Sequence, residues 1–174
     1  MDLIEGLKTR RSIRSYADKE VPDSLIEEIF ETVRWAPSAT NNQPWKFVII
    51  RDEKRKSSLR GGLREKIIST SSHILDAPVV VVAWYTPSFI LSGYQLSDVS
   101  NAITYLLLAA HAKGLGTCWI GWFSQSRVKK ILDLPRRAKV VALVTLGYPE
   151  KTPSPKNRKS VQDILFREKY DQPW

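Results

Sequence analysis

The chain carries 174 residues, 43% of them hydrophobic, enough for one compact α/β domain with its own core and too few to require a second. Its single cysteine, Cys118, excludes an intramolecular disulfide framework, and a metal cluster could draw only on His73 and His111 for imidazoles, so a reducing cytoplasm is the expected address. A formal net charge of +9 attracts anions, which leaves nucleic acid, an acidic membrane surface or a small phosphorylated ligand to be separated, while no apolar run reaches membrane-span length.

Residues 1–10 hold two acids and no long apolar stretch, and Leu3, Ile4 and Leu7 share a face, so they read as a helix rather than a signal peptide. Arg10-Arg11-Ser12-Ile13-Arg14 follows as a turn. Ser24 to Glu27 has capping-box spacing, and Leu25, Ile26, Ile29, Phe30 and Val33 then form an apolar helical stripe that Pro37 stops. Lys46 to Arg51 reads as a strand, and Val79-Val80-Val81-Val82 after Pro78 as a fully buried one.

From Gln95 to Lys113 a helical period runs through Leu96, Val99, Ala102, Ile103, Leu106, Leu107 and Ala110; this is the central helix, with Gly114 and Gly116 as its terminators. Thr117 to Ile120 gives a short strand running into Gly121, Ser126 to Leu132 a further helix, and Val140 to Leu146 the last long strand. Beyond Pro149 an extended polar arm leads to a short amphipathic helix bearing Val161, Ile164 and Leu165. That helix either docks on a partner subunit or folds back on its own domain.

Basic residues gather at Arg10, Arg11 and Arg14, from Arg51 to Lys66, and from Lys151 to Lys169. No C-x2-C finger accompanies them and the aromatics are not interleaved with bases, so a non-redox nucleic-acid or phospholigand module is the alternative reading, not the leading one. Arg10, Ser12 and Arg14 alternate in one turn, where guanidinium forks and a hydroxyl can converge on a single anion. The loop Ala36-Pro37-Ser38-Ala39-Thr40-Asn41-Asn42-Gln43-Pro44-Trp45 is dense in amides and stiffened by proline. Asn41 and Gln43 each offer a carbonyl and an NH2, the groups needed to read a heterocycle's donor and acceptor edge, and Trp45 argues against a wholly exposed loop. Cys118 reads as an inert buried thiol, His111 as a packing or surface residue and Asp98 as structural. Trp84, Tyr85 and Trp122 follow strand ends, where they could wall a flat aromatic pocket, although core packing explains them nearly as well. No Ser-His-Asp set or metal motif competes.

Arg-Arg-Ser-Ile-Arg near the start, Ala-Pro-Ser-x-x-Asn-x-Gln-Pro-Trp, Gly-Leu-Gly-Thr-Cys-Trp-Ile-Gly after the central helix and Pro-Lys-Asn-Arg-Lys in the arm occur in an order that resembles the nitroreductase family. The resemblance implies an α+β, nitroreductase-like fold: a central mixed β-sheet flanked by helices, and a homodimer in which the C-terminal arm packs on the partner subunit. It also implies two FMN sites built from both subunits, with NADH or NADPH as donor in a ping-pong reduction of a small-molecule acceptor, and neither nucleic acid nor membrane as partner.

Carried over by motif, Arg10 and Ser12 would bind the FMN phosphate, with Arg11 beside them among the cofactor-binding residues and Lys156 and Arg158 completing the clamp, and Arg14 would lie near N1 and O2 of the ring. Pro37, Ser38, Ala39 and Asn41 would line the ring from the other subunit, Gln43 would support their loop, and Ile120 and Gly121 would place a backbone amide against N5. Ala39 stands where many members have glycine. An asparagine and a lysine that reach the flavin in larger members have Thr70-Ser71-Ser72-His73 and Lys66 in their place here, so that contact is not carried over.

Overall fold

The computed structural model describes residues 2–61, 63, 73–90 and 93–174; Lys66 and Thr70 to Ser72 lie outside them. The described helices are α1 (Leu3–Thr9), α2 (Asp23–Val33), α3 (Glu53–Arg60), α4 (His73–Asp76), α5 (Tyr94–Ala112) and α6 (Gln125–Ile131). The strands are β1 (Lys46–Ile50), β2 (Val79–Tyr85), β3 (Gly116–Ile120) and β4 (Lys139–Gly147), paired in the order β1-β2-β4-β3. All three pairings are antiparallel, so the sheet expected to be mixed is antiparallel in its named strands; among the described residues, parallel pairing is confined to an isolated bridge between Ser12 and Thr117.

Alternation along β2 explains why it reads as a continuous apolar run. Val79, Val81 and Ala83 face a core made with Ile26, Ile29 and Val33 of α2 and Val99, Ile103 and Leu106 of α5. Val80, Val82 and Trp84 face a second core with Leu59, Ile74, Val128 and Leu132. Both faces are covered, so no strand position is left for a polar residue. Trp84 is therefore core packing, and not the wall of an open pocket.

Helix boundaries follow local chemistry. The Asp2 carboxylate caps α1 through the Ile4 and Glu5 amides. The capping box expected at Ser24 does not form: α2 starts at Asp23, behind Pro22 and two residues earlier than that box would start it, and Asp23 pairs with Arg51 at 2.6 Å. Gly114, at φ +77°, ends α5 as expected, and the Leu115 amide bonds back to the Ala110 carbonyl. Helices α3 and α4 have no counterpart among the elements expected from the sequence. Lys56 of α3 is buried and donates to the Ala77 carbonyl at 2.8 Å, so part of the second basic cluster is structural.

The expected C-terminal helix is also absent: residues 161–164 make a single turn. Ser160 and Asp163 cap it, and left-handed Glu168 and Asp171 (φ +63° and +61°) with Pro173 turn the chain into a bridge between Phe166 and Pro173. No described helix is long and apolar enough to cross a membrane.

Candidate functional site

The arginine-rich segment is laid against the edge of β3. The Ile13 amide donates to the Thr117 carbonyl at 2.9 Å, and the bridge between Ser12 and Thr117 is parallel, so the backbone of Arg14 lies onward in the direction of the Ile120 end of the strand. Gly116 makes this approach possible, because a Cβ there would stand 2.5 Å from Cγ1 of Ile13. Its role is close packing, not helix termination as the sequence suggested. Below, the buried Tyr16 hydroxyl donates to the Ile13 carbonyl at 2.8 Å and lies 2.6 Å from Oγ1 of Thr145. Burial, above all, raises the Tyr16 pKa and keeps the phenol a donor.

Behind β4 the chain is clipped to the same segment. The Ala17 amide donates to the Tyr148 carbonyl, the Glu150 amide to the Ser15 carbonyl, and the Ser15 hydroxyl to the Glu150 carboxylate. The clip brings the arm back across the arginines, enclosing a cavity of about 280 Å³ lined by Arg10, Arg11, Ser12, Arg14, Pro153, Ser154, Lys156 and Arg158. Arg10, Ser12, Lys156 and Arg158, expected at the phosphate, therefore meet in one place, together with Arg11 and with Arg14, which was expected at the ring. Pro153 and Ser154, which complete the lining, carried no sequence signal beyond their neighbourhood. The lining holds five cations and no carboxylate.

That imbalance is visible in Arg10, whose pKa is lowered by burial first and then by Arg158 and Arg11. Nη1 of Arg11 folds back onto the Lys8 and Arg10 carbonyls at 2.7 and 2.9 Å, so this guanidinium also caps α1. Cys118, beneath the arginines, is buried, and burial raises its thiol pKa against the opposing pull of Arg14 and Arg10.

The second set lies elsewhere. In the loop after α2, Thr40, Asn41 and Gln43 adopt positive φ of 51°, 57° and 47°, a left-handed conformation that costs on the order of 1 kcal/mol per residue. Specific bonds hold it. The Ala39 amide donates to Oδ1 of buried Asp98 at 3.0 Å, the Gln43 amide to Oγ of Ser38 at 3.0 Å, and Nε2 of Gln43 to Oδ1 of Asn41 at 3.1 Å. Gln43 thus supports the loop from within. Pro37, Asn41 and Gln43 are exposed, while Ala36 is buried, Ser38, Ala39 and Pro44 are half-buried and Trp45 packs partly into the first core, so the loop is not wholly exposed, as expected. Ile120 is half-buried at the end of β3, with Gly121 exposed beyond it.

Asp98 and Asn101, which hold the loop, stand near the start of α5. The arginines adjoin His111 near its end, and thirteen helical rises separate the two places by roughly 20 Å. Neither the loop nor Ile120 and Gly121 lines the cationic cavity.

A larger cavity of about 690 Å³ lies on the other side of the clip, lined among others by Asp18, Lys19, Arg51, Glu53 and Lys56. Its lining mixes acids with bases, and Lys56 pairs with Glu53 and Arg51 with Asp23, so the smaller cavity, lined by cations without a carboxylate, is the candidate site. Among the described residues no group of acids, histidines and cysteine could hold a metal.

Known proteins agree with this architecture. A Methanothermobacter thermautotrophicus relative assigned by name to the NADH dehydrogenase/NAD(P)H nitroreductases is 33% identical over 158 residues, covering 88% of this chain and 80% of its own. A Thermus thermophilus protein named NADH dehydrogenase is 32% identical, covering 90% and 91%. A Desulfovibrio desulfuricans nitroreductase crystallised in complex with FMN superposes with a TM-score of 0.82 at 28% identity, over 98% of both chains. The profile of the Nitroreductase family matches residues 7–148, most of the chain, and the chain belongs to that family.

Proposed function

We propose that the chain is an FMN-dependent oxidoreductase, working as a homodimer that passes electrons from NADH or NADPH to a small acceptor such as a nitroaromatic or a quinone. One observation carries the reading: both ends of the polypeptide deliver cations to a single concave cavity free of carboxylates. A phosphate dianion suits that donor set, since guanidinium and ammonium groups bind it by charge-assisted hydrogen bonds. A solvated basic turn or a flat nucleic-acid face would not need the clip that folds the arm back.

When bound, FMN would supply the two-electron chemistry of a ping-pong exchange between nicotinamide donor and acceptor. Arg10, Lys156 and Arg158 hold its phosphate and Ser12 adds a hydroxyl. Arg14, exposed and farther along β3, brings a fixed cation toward the ring end, where it favours a more negative ring. Ile120 and Gly121 offer backbone amide at the strand end. Asn41, Ser38 and Ala39, pre-shaped by Gln43 and Asp98, present amides to a ring. The roughly 20 Å along α5 between this loop and the arginines supports a loop that serves the neighbouring copy's ring. Exposed Leu3, Ile4 and Leu7 on α1 and Val161 and Ile164 in the arm supply unpartnered apolar surface for such a contact. The same reading takes residues 1–174 as one cytoplasmic domain.

The test is optical. Dialysed protein should be yellow, absorb at roughly 450 nm, and bleach anaerobically with NADH or NADPH. Replacing Arg10 and Arg158 together by alanine should release the flavin. A colourless protein that takes up no FMN but binds DNA with steep salt dependence would instead support the phospholigand alternative. Turnover against nitro compounds, quinones and haloaromatics would identify the acceptor. Haloaromatics belong in the panel because a Thermotoga neapolitana relative, 27% identical, is named iodotyrosine deiodinase.

A further inference from the structure

Much of the chain's positive charge lies away from the cationic cavity. Residues 52–60 and 125–139 carry ten lysines and arginines against three acids, in a chain whose net charge is +9. The first stretch is α3 with its cap, the second α6 with the turn into β4. These two helices pack side by side and cover the second core through Leu59 and Val128. Asp52 accepts from the Arg55 amide and Glu53 pairs with buried Lys56, so two of the three acids are committed locally. Lys54, Arg55, Arg127, Lys130, Arg136 and Arg137 are exposed, and none has an ion-pair partner among the described residues.

This face adjoins the far end of β3. Leu63, just after α3, bridges to Phe123, and Nη2 of Arg127 lies 2.9 Å from where a Cβ of Gly61 would stand. Gly121 stands three residues before Ser124, the cap of α6, at most about 11 Å of chain away, with exposed Trp122 between them. The neighbouring copy, which meets α1 and the amide-rich loop, belongs to the other side: α1 packs on α5, and α5 covers the first core. Dimer formation therefore leaves the basic face open.

A single phosphate does not need so broad a face. The exposed residues of α3 and α6 are all polar or charged, so a bilayer finds no apolar anchor there and a nucleobase no ring to stack on. Arginines bordered by an exposed tryptophan are the residue types that anchor protein partners, and unpaired charge speeds the encounter with an oppositely charged one. We propose that this face docks an acidic protein that carries one electron at a time, and that the flavin delivers electrons to it at the Gly121 end of β3. The inference rests on the flavin reading above. The exchange balances: one NADH or NADPH gives up a hydride, which is two electrons and a proton; two carriers gain one electron each, and the proton passes to solvent.

The whole chain with FMN bound is titrated by calorimetry with an acidic haem carrier of the cytochrome b5 type and, as a control, with basic cytochrome c. Haem reduction by NADH or NADPH is then followed without oxygen. The acidic cytochrome should bind at least about tenfold more tightly than the basic one, and its binding and reduction should both weaken at least about tenfold between low and physiological salt. Arg136→Glu with Arg137→Glu, and separately Lys54→Glu with Arg55→Glu, should each slow its reduction at least about tenfold while leaving turnover of a small quinone within about twofold. New glutamates in the first turn of α3 suit the helix dipole, so the second pair keeps the fold. Absence of binding to the acidic cytochrome, or binding and reduction that both pairs leave untouched, overturns this inference alone, since quinone turnover still reports the flavin. Tighter binding of duplex DNA or of phosphatidylserine vesicles, lost in the same variants, overturns it in favour of that partner. A chain that takes up no FMN overturns the flavin reading itself, and this inference with it.

Discussion

Gly116→Ala tests whether the arginine segment owes its place to one missing methyl group. The added Cβ would meet Cγ1, Cβ and Cγ2 of Ile13 at 2.5, 2.8 and 2.9 Å. Ordinary carbon contacts lie at about 3.5–4.0 Å, so Ile13 must retreat by about 1 Å. It is buried and β-branched, with little rotameric freedom to absorb the shift. Overpacking of this kind costs about 1–3 kcal/mol. A 1 Å retreat also carries the Ile13 amide, now 2.9 Å from the Thr117 carbonyl, beyond hydrogen-bonding range, adding about 1 kcal/mol. Urea unfolding should show a loss of about 2–4 kcal/mol at unchanged m-value. Arg10, Ser12 and Arg14 ride on the displaced segment, so FMN affinity should fall in the folded variant as well. Gly114→Ala is the control: a Cβ there meets nothing within 4 Å, so despite the strain of its positive φ it should leave flavin affinity intact. If Gly116→Ala kept wild-type stability, or bound FMN as well as Gly114→Ala, the argument from close approach would be wrong.

Asp98→Ala removes the buried acceptor for the Ala39 amide and should cost about 1–3 kcal/mol in urea unfolding, whereas Asp98→Asn, which keeps an acceptor, should lose less; equal losses would show that this bond does not hold the loop. His111 has a pKa below its ordinary 6.5 in the folded chain, so below that pH the unfolded chain binds the extra proton more readily and stability falls with acidification. His111→Gln should flatten that part of the pH profile, and parallel profiles would refute the assignment. The Cys118 thiol, raised by burial, should alkylate slowly in the native protein and rapidly in urea; fast native alkylation would contradict its placement beneath the arginines.

Much of this was legible in the sequence because it is local. The Val79 to Val82 run, the period of α5 and the amide-rich loop each announce themselves within a short window. The sheet's direction did not, because an antiparallel strand covered on both faces reads like a buried parallel one. The end of the arm misled for the opposite reason: Val161, Ile164 and Leu165 have helical spacing, but left-handed Glu168 and Asp171 leave that helix no room to continue. The capping box at Ser24 fails because α2 begins at Asp23, behind Pro22, and Gly116 was read as punctuation when its true constraint, Ile13, lies about a hundred positions away. The residues expected at the phosphate were named by motif, and they line one cavity. Their assembly depends on Ser15, Tyr16, Thr145 and Glu150, whose contacts no spacing rule reveals.

The clip between Ser15 and Glu150 also sets an order of events. Arg10 leaves the ribosome well before Arg158, so an emerging chain carries only one side of the cationic cavity with nothing to close it. Capture of the cofactor is thereby deferred until β4 has paired and the final segment has swung back, and loops spanning most of the polypeptide close late because their entropy is lost before any contact rewards it. Proteolytic nicking of the arm should accordingly empty the protein of its ligand while leaving the sheet intact.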